Sequence, residues 1–139
     1  MVRLLALIVG LSPASVGKNW LLSRLGHRVE RTAKVKPILI LGRSRLSIAE
    51  GARIGALNVF RDLRVEIERN AGIGQLNWFS AAPFLADSSS EPLRGSLILH
   101  ESATITNRHY FDASGGARVG RFATVAGVRS TFMTHGIDA

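Results

Sequence analysis

The feature that most constrains this chain is a six-residue apolar step that starts at Val29 and runs almost to the end. Groups of three fall at Val29, Val35 and Leu41; Ile48, Ile54 and Phe60; Ile67, Ile73 and Phe79; Leu99, Ile105 and Phe111; and Val119, Val125 and Thr131. Ile137 opens a sixth group. Once each group's start is set, ten positions follow without further choice, and nine are apolar where about five are expected at this composition. A second column reinforces the first. The residue two before each middle position is Ala33, Ala52, Ala71, Ala103 and Ala123, although only 16 of the 139 residues are alanine. A small side chain at a recurrent place implies a tight backbone turn with little room inside.

Group starts are 19, 19, 32, 20 and 18 residues apart. The unit is therefore about 18 residues, three hexads of one short strand and one turn each, and three strands complete one coil. Like residues then stack from coil to coil at the ~4.8 Å spacing between strands, and five coils stand roughly 24 Å tall. The expected fold is an all-β solenoid, a parallel β-helix of about five triangular coils preceded by one or two short helices. The 32-residue interval is a 19 with 13 residues inserted. The insertion, Ala81 to Ser96, carries Pro83, Pro92 and a serine run, and is expected to leave the wall as a loop able to cover a substrate or meet a partner.

Two domains follow: residues 1–28, a helical cap or membrane-surface element, and residues 29–139, the β-helix. Within the first, Leu4 to Leu11 is an apolar run too short for the ~20 residues that span a bilayer. Its single Arg3 and the lack of a small-x-small cleavage site argue against a signal peptide. Pro13 ends the run, and Trp20, Leu21, Leu22 and Leu25 lie near helical spacing, so two short helices are expected.

Charge is uneven. The formal net charge is +8; residues 1–70 hold 13 Lys/Arg against 5 Asp/Glu, and residues 71–139 hold 5 against 5. Fifteen of the eighteen cations are Arg, whose guanidinium fork suits phosphate or an anionic surface. Peripheral contact with a membrane through the basic half is one expectation. Nucleic acid is not expected, because the cations are not interleaved with aromatic stacking platforms. With no cysteine, disulfides and thiolate chemistry are excluded, which fits a reducing, cytoplasmic compartment.

The hexads "GARIGA", "NAGIGQ", "SATITN" and "GARVGR" resemble those of the hexapeptide-repeat acyltransferases over residues 29–139. That resemblance implies a left-handed hand for the coil, an exception to the usual crossover rule. The segment "ITNRHYFDASGGARVGRFATVAGVRSTFMTHGID" is similar to the stretch that, in the family's sugar O-acetyltransferases, runs from acceptor-binding residues into a catalytic histidine. The resemblance implies His135 as the catalytic base, with Asp112, Asn107 and His109 at acceptor-binding positions. It implies acetyl-CoA or another acyl-CoA as donor, held between subunits of a homotrimer; Arg129, from its place in the repeat near His135, is expected to contact the acceptor or the cofactor phosphate, Gly136 is expected beside the cofactor, and no metal is expected. It also implies that the sequence stops short of coils that carry most of the family's CoA contacts.

The chemistry supports His135 independently. Transfer from a thioester to a hydroxyl needs a base at neutral pH, and imidazole, with a pKa near ~6.5, is suited to it. Gly136 permits close approach of a substrate. His109 and Arg129 also belong to a polar column, two before the third apolar position, with Asn58 and Asn77. Two other readings stay open. One is a γ-type carbonic anhydrase with His100 and His135 as zinc ligands, which lacks a third histidine; the other is a non-enzymatic scaffold or membrane-surface module.

Overall fold

The computed structural model describes residues 2–82 and 93–134. Among these residues two helices, α1 (Val2–Gly10) and α2 (Val16–Arg24), precede fifteen short strands. The first coil is β1 (Arg28–Val29), β2 (Lys34–Val35) and β3 (Leu39–Leu41); the second is β4 (Arg45–Ile48), β5 (Arg53–Ile54) and β6 (Val59–Arg61). The third is β7 (Arg64–Ile67), β8 (Gly72–Ile73) and β9 (Trp78–Ser80). The fourth is β10 (Ser96–Leu99), β11 (Thr104–Asn107) and β12 (Tyr110–Asp112), and the fifth is β13 (Ala117–Val119), β14 (Thr124–Val128) and β15 (Thr131–Met133). Among the described residues, each strand of the first four coils pairs in parallel with the strand three along, giving three five-stranded sheets and a β-solenoid of about five turns.

The first two apolar columns lie in register as the repeat predicts: Val29, Ile48, Ile67, Leu99 and Val119 in the first sheet, and Val35, Ile54, Ile73, Ile105 and Val125 in the second. The alanine column closes the turns between these sheets. Each Ala N–H donates to the carbonyl three residues back, from Ala33 to Glu30 (3.1 Å) through Ala123 to Gly120 (3.1 Å). Ala33, Ala52, Ala71 and Ala103 are buried, as a tight corner with an inward methyl requires.

The third column departs from the six-residue step at both ends. Its inward residues are Ile40, Phe60, Phe79, Phe111 and Phe132, not Leu41 and Thr131. In the first coil the turn through Pro37 is one residue shorter. In the fifth, β14 carries one extra residue opposite β11, between Val125 and Val128, and Gly127 in that stretch has φ +87°. The phenylalanines stack along the axis, with centroids 5.2, 5.2 and 4.5 Å apart from Phe60 to Phe132.

The helices close the near end of the solenoid. Gly10 sits against β3, its carbonyl accepting from Ile38 N (2.8 Å), and Leu22 is fully buried. Lys18 is buried with its ammonium donating to three carbonyls: Gly10 (2.8 Å), Ser12 (2.7 Å) and Lys36 (2.9 Å). Burial lowers its pKa to about 8, so it stays protonated at neutral pH and ties the end of α1 to the first coil. Asn19, also buried, donates to the Glu30, Arg31 and Ala33 carbonyls of the first turn.

Candidate functional site

Strand alternation decides which residues of the third sheet face outward. Each phenylalanine points in, so its two neighbours point out. One outward row is Leu39, Val59, Trp78, Tyr110 and Thr131; the other is Leu41, Arg61, Ser80, Asp112 and Met133. Trp78 and Tyr110 are register partners, 37% and 40% exposed, so two aromatic rings sit side by side on an outer wall. A groove of about 240 Å³ runs beside them, lined by Arg61, Asp62, Trp78, Ser80, Ala81 and Tyr110.

Asp112 adjoins this groove as the register partner of Ser80. Its Oδ1 accepts from Ser114 N (2.9 Å), an Asx turn that fixes the carboxylate at the corner where the chain leaves the third sheet for the first. Its carbonyl accepts from Thr134 N (3.1 Å) and Thr134 Oγ1 (2.5 Å), while Thr134 Oγ1 also accepts from Gly115 N (2.9 Å). Thr134 is thus held at this corner. His135 and Gly136 follow it in sequence and lie outside the described residues. The inserted segment begins at the equivalent corner one coil before Asp112, where Ala82 N donates to Ser114 Oγ (3.0 Å); its residues Pro83 to Pro92 lie outside the described residues.

The remaining expected site residues sit elsewhere. His109 is 2% exposed and continues an amide ladder inside the corner between the second and third sheets. Asn77 N–H and Nδ2 donate to Asn58 Oδ1 (3.0 Å each), His109 N–H donates to Asn77 Oδ1 (2.7 Å), and Ser130 N–H donates to His109 Nδ1 (3.3 Å). With Nδ1 accepting, the neutral ring carries its proton on Nε2, which donates to Thr106 Oγ1 (2.9 Å). That hydroxyl in turn donates to the carbonyls of Val125 and Gly127. Both ring nitrogens are therefore occupied by the wall, and burial holds the His109 pKa below its usual value.

Arg129 is displaced from this ladder. The extra residue in β14 gives its place to Ser130, and Arg129 becomes an exposed corner residue with φ +63°. Asn107 is exposed at the same corner of the fourth coil, its Oδ1 accepting from Gln75 N (2.8 Å). The expected residues that are described thus divide between two edges: Asn107, His109 and Arg129 at one, and Asp112, beside Thr134, at the other, with the three-residue strands of the third sheet between. Of the other histidines, His100 Nδ1 lies 3.2 Å from Glu68 Oε2 on the turn between the first two sheets. Among the described residues no three His, Asp or Glu side chains gather to hold a metal ion.

Sequence reasoning on motifs missed Trp78, Tyr110 and Arg61. The signal was present: two-residue alternation about each inward phenylalanine finds all three. No family model, curated protein or solved structure matches the chain.

Proposed function

We propose that this chain is an acyl-CoA-dependent O-acyltransferase, an acetyltransferase by preference, acting on a hydroxyl of a sugar or polysaccharide precursor. The observation that carries the reading is the strand register of the third sheet. It sets the Trp78–Tyr110 pair, Arg61 and Asp112 on one outer wall, and that wall ends at the corner held by Thr134, next to His135 in sequence. Aromatic faces accept the C–H surface of a sugar ring, while a guanidinium and a carboxylate take its hydroxyl edge.

In this mechanism His135 removes the proton from the acceptor hydroxyl as its oxygen attacks the thioester carbonyl. As the C–S bond breaks, protonated His135 returns that proton to the leaving CoA sulfur, which departs as the thiol, and the acyl ester remains on the sugar. Asp112 orients the acceptor. His109 acts through the wall, since both its ring nitrogens are bonded there, and the exposed Asn107, whose Oδ1 accepts from Gln75 N of the preceding coil, meets the acceptor from the opposite edge of the third sheet. Arg129 and Gly136 serve the acyl-CoA. The width of the third sheet separates Arg129 from Asp112, a separation that suits a cofactor held between subunits of a homotrimer.

Transfer of labelled acetyl from acetyl-CoA to a panel of glycan acceptors tests the reading. Wild-type protein is expected to label at least one acceptor with release of CoA thiol. Trp78→Ala is expected to raise the acceptor KM by about 10-fold with little change in kcat, the signature of lost ground-state binding. No labelling, together with no thiol release, overturns the proposal.

A further inference from the structure

A second cavity, of about 570 Å³, opens where α1 and the loop after α2 meet the corner between the first and second coils. Arg3, Arg43, Arg45 and His27 line it beside apolar wall from Ala6 and Ile40. Among the described residues, none that lines it is acidic. Asp62 stands behind Gly42 and is engaged by Arg43 N–H (2.9 Å) and the Arg61 guanidinium (3.7 Å). His27 Nδ1 accepts from Leu46 N (3.1 Å), which leaves Nε2 as its donor.

The outward side of α1 is apolar. Leu4, Ile8 and Leu11 follow the i, i+4, i+7 spacing of one helix face and are 60%, 57% and 44% exposed. Trp20 on α2 is 60% exposed with the Arg24 guanidinium 5.4 Å from its ring. Neither helix holds an acidic residue. Residues 1–45 carry nine Lys/Arg and one Glu, and residues 46–139 carry nine of each sign, so the whole excess of +8 belongs to the helices, the first coil and the start of the second. An apolar outward stripe on a helix whose other side borders an anion-seeking cavity fits an element lying in a lipid interface, with side chains in the acyl boundary and guanidiniums among phosphates.

We infer that the cavity bordered by Arg3, His27 and Arg45 binds the phosphate of an anionic lipid headgroup while the Leu4–Ile8–Leu11 face of α1 rests in the bilayer surface. The inference stands apart from acyl transfer and is tested without it. Intact protein is mixed at 0.1 M salt with vesicles of phosphatidylcholine, or with the same vesicles carrying about a third phosphatidylglycerol, and bound protein is sedimented. The anionic vesicles are expected to bind about 10-fold more tightly or better. Arg3→Glu/Arg45→Glu is expected to remove that advantage, whereas Arg118→Glu/Arg121→Glu, the same charge change on the fifth coil, keeps it within about twofold. Arg3→Gln/Arg45→Gln, which adds no charge of its own, repeats the comparison should the first pair lower the melting temperature. Leu4→Ser/Ile8→Ser is expected to lose vesicle binding while inorganic phosphate still binds by calorimetry. Equal binding to both vesicle types, or equal loss from the pocket and control pairs, overturns the inference. Phosphate binding without vesicle binding overturns it too, because the occupant is then a soluble phosphate.

Discussion

His109 does in its coil what Asn58 and Asn77 do in theirs. One ring nitrogen accepts a backbone N–H from the next coil and the other donates inward, so an imidazole stands in for a carboxamide. The substitution makes the wall acid-sensitive. Because burial lowers the folded pKa of His109, and desolvation with the Arg45 charge lowers that of His27, both contribute stability that is fully present above ~6.5 and is lost as pH falls below it. The urea midpoint should therefore drop between pH 7.5 and 5.5, and His109→Asn should shrink that drop. A second prediction concerns backbone strain. Leu57, Leu76, Arg108 and Arg129 recur with φ near +60° at one corner, a region that costs a β-carbon residue ~1 kcal/mol. Leu76 is 41% exposed, so Leu76→Asn should raise stability by about 0.5 kcal/mol in denaturant unfolding. Neither result was legible at the motif level: the polar column showed in the sequence, but which member carried chemistry depended on where its nitrogens pointed.

At the scale of the element, the phenylalanine stack and the helical cap carry the fold. Phe79 is fully buried between Phe60 and Phe111, and Phe79→Ala should cost about 3–5 kcal/mol, read as a lower denaturant midpoint with the same slope. Lys18→Met leaves three carbonyls of α1, its following turn and the first coil without their charged donor. It should cost about 2–4 kcal/mol by the same measurement. The strands were readable because apolar periodicity and parallel stacking reinforce each other at every coil, so one pattern recurs five times. The two places where the step failed, Pro37 and the extra residue at Ala126–Gly127, are local changes of turn length that an apolar count absorbs without trace. The partners of Lys18 had no sequence signal, since a lysine on a helix gives no hint that three carbonyls converge on it.

Across the whole molecule the two ends differ. The near end is closed by helices and holds all the excess positive charge; farther along, the outer wall of the third sheet presents Trp78, Tyr110, Arg61 and Asp112 toward the corner at Thr134. The coil architecture, the alanine corners and the N-terminal helices followed from the sequence. The site was only partly legible, because hexads place residues on faces while the expected acceptor set mixed two corners, and a one-residue bulge moved Arg129 off its column. The aromatic pair, by contrast, needed no resemblance, only alternation about Phe79 and Phe111. Acyl transfer based on His135 is the central claim. Its most direct test is the turnover of His135→Ala beside wild type, with matching circular dichroism, on acetyl-CoA and the best glycan acceptor. A fall of ~10²-fold or more is the predicted result, and an unchanged rate contradicts the account.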